Sequence, residues 1–176
     1  MTTEPTKYTW KNGFGQSRTV CEFIDTGKSA TSLQFGLEGP KHGWLVFTFS
    51  LGEGGEFRCL ASGTPNDFLW ELCEALGAFL SGKERVSVDM HGEPDTFALL
   101  LTRLADGNTR FEISYKPSLE ETVTGLVFGI TTVGLDICAG SVTMIKGLGD
   151  TWDRNEYLKE IGWPFPDEAL ARLVPS

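Results

Sequence analysis

The chain has little with which to do chemistry. Its 176 residues include only two histidines, His42 and His91, and four cysteines. Cys21, Cys59, Cys73 and Cys138 stand far apart and form no C-x-x-C pair. Structural zinc sites draw on closely spaced ligand pairs, so the spacing gives such a site no local support. The G-x-S-x-G elbow of serine hydrolases is missing, and so is the H-E-x-x-H helix of zinc proteases. Glycine-rich stretches at 13–15 and 52–55 lead into no Walker lysine and no dinucleotide fingerprint, and Glu53 inside the second would repel a phosphate. Asp150, Asp153, Asn155 and Glu156 have the composition of a calcium loop, but Asn155 stands where the loop needs glycine.

Positive charge is also scarce. Fifteen basic residues against 24 acidic ones give a formal net charge of −9. A surface of that sign repels nucleic-acid backbones and anionic lipids, and no basic cluster offsets it. No apolar run approaches the length of a membrane span, and the opening residues MTTEPTKYTWKNG are polar, without a signal-peptide core. The expectation is a cytoplasmic protein with reduced thiols, no cofactor, no metal and no nucleic-acid or membrane partner. Charge of this sign also steers towards a basic protein partner.

What is present is fold-forming material. Hydrophobic residues make up 40% of the chain and charged residues 22%, with 12 Phe, five Trp and 21 Gly. That composition predicts one globular domain over residues 1–176, with residues 1–15 loose. Segments 20–24, 32–38, 43–51 and 56–60 read as strands joined by turns. Leu33, Phe35 and Leu37 share one face, whereas Leu45, Phe47 and Phe49 stand opposite Trp44 and Val46, the pattern of a strand covered on both sides. A helix follows, with Thr64 as the expected N-cap, Pro65 in its first turn, Asp67 completing a capping box and Gly82 as its stop. Phe68, Leu69, Leu72, Cys73, Leu76, Phe79 and Leu80 lie on its apolar arc. Trp70 falls at the edge of the polar arc, either packed on a loop or serving as a partner-facing anchor.

Segments 85–90, 96–104 and 109–115 read as three further strands, the last two joined by an Asp106-Gly107 hairpin. Residues 122–135 predict another strand. Cys138, Val142, Ile145, Leu148 and Trp152 fit a helical stripe, and 153–162 and 166–173 read as short helices around the turn from Trp163 to Pro166. The order predicts an α+β fold, with a mainly antiparallel sheet of about seven to eight strands, one central amphipathic helix and C-terminal helices packed on it.

Two candidate sites emerge. On an extended strand Asp89, His91 and Glu93 share a face, which offers an imidazole between carboxylates for acid–base work or a ligand pocket between sheet and helix. A two-histidine metal site there would need His42, which belongs to a different strand. The other candidate is a contact surface. The acidic stretch holding Asp89, Glu93 and Asp95, the group Asp150, Trp152 and Asp153, and Trp70 together supply carboxylates for association rate and indoles for anchoring. Sequence does not divide Trp10, Trp44 and Trp163 between core and interface.

The capped helix TPNDFLWELCEALGAFLSG, the following VSVDMHGEPDTFALLL with its hairpin, and the closing YLKEIGWPFPDEALARL resemble the small acidic immunity proteins of bacterial toxin systems. The resemblance is architectural and covers the larger part of the chain. It implies a non-enzymatic inhibitor that binds a cognate toxin tightly, often across the toxin's active site, through acidic and aromatic side chains.

Overall fold

The computed structural model describes residues 4–11, 14, 17–26, 28, 34–92, 96–116, 125–132, 143, 145, 147 and 150–173. Its strands form two antiparallel sheets. The first has the order β1 (Thr6–Lys11), β2 (Ser17–Asp25), β5 (Gly55–Ser62), β4 (Trp44–Ser50), β3 (Gln34–Lys41). The second is a meander of β6 (Arg85–His91), β7 (Thr96–Arg103), β8 (Thr109–Lys116) and β9 (Gly125–Thr132). Helix α1 (Phe68–Leu80) joins them, and α2 (Arg154–Ile161) and α3 (Asp167–Arg172) close the described chain. Thr143, Ile145, Gly147, Asp150 and Thr151 are helical too, whereas Cys138, Val142 and Leu148 of the predicted stripe lie outside the described residues. No helix among the described residues is long and apolar enough to cross a membrane.

The α+β class with antiparallel pairing holds, and the single sheet becomes two. Alternation tells which residues share a face, but not which strand lies beside which. Helix α1 interrupts the meander after β5, and the chain resumes in a second sheet. Residues 6–11, expected to be loose, are an edge strand paired from Thr6↔Phe23 to Lys11↔Ser17. Such a strand takes its register from its neighbour and carries little signal of its own.

The inner faces meet through phenylalanines. Phe49 of β4 lies 4.6 Å from Phe111 of β8, and Phe57 of β5 lies 6.5 Å from Phe97 of β7. Phe47 stacks edge-on against Phe68 of α1 at 4.8 Å, which carries the same core under the helix. Leu45, Phe47 and Phe49 are buried as predicted, but Trp44 and Val46 on the other face are only half-buried. Among the described residues the outer face holds a charge row: Arg58 lies 4.0 Å from Glu22 and 3.6 Å from Glu38.

The start of α1 also differs from expectation. Asp67, not Thr64, is the N-cap, and its carboxylate accepts hydrogen bonds from the Leu69 and Trp70 backbone N–H groups at 3.1 and 3.3 Å. Aspartate caps better than threonine, and residues 63–66 bend rather than coil. At the other end Gly82 adopts φ +106°, the left-handed stop that the sequence predicts.

Candidate functional site

Two features set the geometry of the C-terminal segment. Asp153 caps α2 by accepting from the Asn155 and Glu156 N–H groups at 2.8 and 2.9 Å. Gly162, at φ +86°, ends the helix and releases the chain into Trp163-Pro164-Phe165-Pro166. This turn places its two aromatics differently. Phe165 goes inward onto Tyr157 at 5.1 Å, whereas Trp163 stays 44% exposed. The Trp163 indole N–H donates to the Gly63 carbonyl at 2.6 Å, which fixes the ring against the end of β5.

Gly63 is the tight point of this junction. A Cβ there would stand 2.6 Å from the Ile161 carbonyl oxygen, so only glycine lets α2 come this close. Its N–H donates to the Gly43 carbonyl at 2.9 Å. Gly43 and His42 form the β3–β4 turn, with φ of +81° and +53°, the signs of a two-residue type I′ turn. The His42 backbone N–H donates to a Glu160 carboxylate oxygen at 2.6 Å. His42 is therefore engaged as a turn residue that receives α2.

Docked in this way, Trp163 faces the first turn of α1, and a groove of about 390 Å³ opens between them. Trp163 and Pro164 form one side. Pro65, Asn66, Asp67, Trp70 and Glu71 form the other. Trp70 is 46% exposed, so two half-exposed indoles line one groove. The charged groups in its lining are carboxylates, Asp67 and Glu71. Asp67 is committed to structure, because it also accepts the Tyr157 hydroxyl at 2.8 Å. Burial pushes its carboxyl above the usual carboxylate range, against the lowering effect of these hydrogen bonds. Glu71, half-buried in the same turn, is the other carboxylate of the lining. Asn66 keeps a buried side-chain oxygen without a hydrogen-bond partner among the described residues. No family model matches the chain, and no curated protein or solved structure matches it either.

The sequence-predicted residues are dispersed. Trp70 lies in the groove. Trp152 is half-buried and packs on Tyr157 and Phe165, with ring centroids 5.9 and 6.2 Å apart. Asp153 is the helix cap described above. Asp150 is exposed and lines a second surface hollow with Arg154 and Asp167. Asp89 and His91 do share the face of β6 opposite buried Val86, Val88 and Met90. Glu93 and Asp95 lie outside the described residues. His91 Nδ1 is 3.2 Å from Thr96 Oγ1 of the neighbouring strand, and no metal-ligating cluster of three occurs among the described residues. The space between sheets and helix, a pocket in one reading of the sequence, is filled by buried Phe35, Phe47, Phe49 and Phe68.

From sequence, Pro65, Pro164 and Glu71 had no part in a site, and Trp163 stood undecided between core and interface. A usable signal did exist. Gly162 stops the helix and Pro164 prevents its resumption, which leaves an indole on a rigid turn with no helical face to bury it.

Proposed function

We propose that this chain is an immunity-type binding protein that neutralises a basic protein toxin by direct contact, with the groove of Trp70 and Trp163 at the centre of the contact surface. The observation that carries this reading is the convergence of two half-exposed indoles from distant parts of the chain on one groove whose charges are acidic. Tryptophan is the side chain most enriched where binding energy concentrates. The excess of 24 acidic over 15 basic residues draws a basic partner in from solution. Asp89, Glu93, Asp95 and Asp150 belong to that field, while Trp152 and Asp153 hold the segment that presents Trp163.

Co-purification of the tagged chain from its native cells tests the reading, with a Trp70→Ala/Trp163→Ala variant in parallel. Support is a stoichiometric basic protein, released by salt and lost by the variant, whose expression alone arrests growth and whose co-expression with the chain does not. A partner retained equally by both proteins removes the groove from the interface, and a partner without toxicity removes the immunity role.

A further inference from the structure

We infer that the groove is an arginine receptor: it takes one guanidinium of the partner between the Trp70 and Trp163 rings, with Glu71 at its edge. This inference rests on the reading of the groove as a contact site and names the side chain that enters it.

The lining supplies what a guanidinium needs. Indole faces attract a cation electrostatically, and the flat guanidinium stacks on them while its N–H groups point outward in the ring plane. Glu71 lies one residue from Trp70 and lines the same groove, so it can accept from that edge. Asn66 adds an acceptor whose partner is missing among the described residues; a turn of its amide would offer that oxygen to an incoming N–H. An ammonium is a strongly hydrated point charge and gains less from a mostly apolar, indole-lined groove. Among the described residues no lysine or arginine lines the groove to compete.

The protein already builds this arrangement internally a few residues away. The Arg154 guanidinium carbon lies 4.1 Å over the centroid of Phe165, and the same group reaches Asp167 at 2.7 Å. An aromatic face beside a carboxylate thus holds an arginine on the C-terminal segment, and the groove repeats the combination on a surface open to a partner.

The test is titration of the isotope-labelled protein with a capped Gly-Arg-Gly peptide, read on the indole N–H resonances of Trp70 and Trp163. The lysine and citrulline counterparts serve as comparisons. Saturable shifts of both indoles are expected, weaker with lysine and absent with the uncharged citrulline peptide. Trp70→Ala should weaken binding roughly tenfold. Glu71→Gln should weaken it and flatten its salt dependence. No saturable shift, or equal binding of citrulline, overturns the inference, and tighter binding of lysine replaces it with an ammonium site. Peptide binding without any toxin partner leaves the receptor standing and removes the immunity role. A toxin partner that holds equally to Trp70→Ala does the reverse.

Discussion

Tyr157 of α2 donates its hydroxyl hydrogen to Asp67 at 2.8 Å, and that same carboxylate caps α1. One side chain therefore starts a helix and anchors the C-terminal segment to it. Both partners are buried, Tyr157 completely and Asp67 nearly so. A buried carboxylate is tolerated only when its hydrogen bonds are made, so cap and anchor depend on each other.

Removing either half should cost stability by different amounts. Tyr157→Phe leaves a buried acceptor short of one donor, a loss of about 1–3 kcal/mol. Asp67→Ala removes the cap as well and should cost more, whereas Asp67→Asn keeps an acceptor without a buried charge and should cost least. Urea denaturation of the three variants gives the order. A harmless Asp67→Ala would show that the junction is held by apolar packing alone.

The pH dependence follows from burial. The Asp67 carboxyl is raised above its ordinary value, chiefly by desolvation. Between the ordinary and the raised value the native state holds a proton that the unfolded chain has released. Stability from this group is thus complete below the ordinary carboxylate value and is lost as pH rises through the raised one. Asp67→Asn has no such proton. The stability difference between wild type and Asp67→Asn should therefore move in favour of the variant on going from acid to neutral pH. A difference that moves the other way would show that the hydrogen bonds outweigh desolvation.

Cys73 should be chemically silent. Burial, with help from Asp67 and Glu74, pushes its thiol up to about 12, and only the thiolate reacts. In mildly alkaline buffer, native protein should leave this thiol unlabelled by a thiol-specific disulfide reagent, and denaturant should release it. Tyr157, also raised by burial, adds to the alkaline side. Both groups keep protons that the unfolded chain loses, so stability should fall as pH climbs past the ordinary thiol and phenol values. Rapid labelling at Cys73 in the native protein would contradict its placement.

Gly63→Ala should disturb the groove without touching its lining. The new methyl carbon would sit 2.6 Å from the Ile161 carbonyl oxygen and 2.7 Å from Ile161 Cγ2. Overpacking of this kind costs about 1–3 kcal/mol. Because the Gly63 carbonyl also holds the Trp163 indole, tryptophan emission should change together with the melting temperature. A variant with wild-type stability and emission would refute the close approach.

Local patterns were legible wherever one residue's neighbours in sequence decide its surroundings. The apolar arc is buried from Phe68 to Phe79 as its spacing predicts, with Leu80 at its end half-buried, and Gly82 stops the helix. Phe111 and Ile113 face the core while exposed Arg110 and half-buried Glu112 face away, as strand alternation requires. Position across the fold was not legible. The pairing of Thr6–Lys11 with β2 depends on a partner strand, and the second duty of Asp67, as acceptor of the Tyr157 hydroxyl, depends on a residue 90 positions away. Trp70 was identifiable as an outlier on its helix. Its meeting with Trp163 was not, because that depends on the docking of α2 against Gly63.

The split ancestry of the groove sets a timetable for the protein in the cell. Trp70 leaves the ribosome with the first half of the chain, but its counterpart follows only after both sheets have been made. A growing chain therefore carries one wall of the groove long before the other, and the groove is complete only when α2 has docked against Gly63.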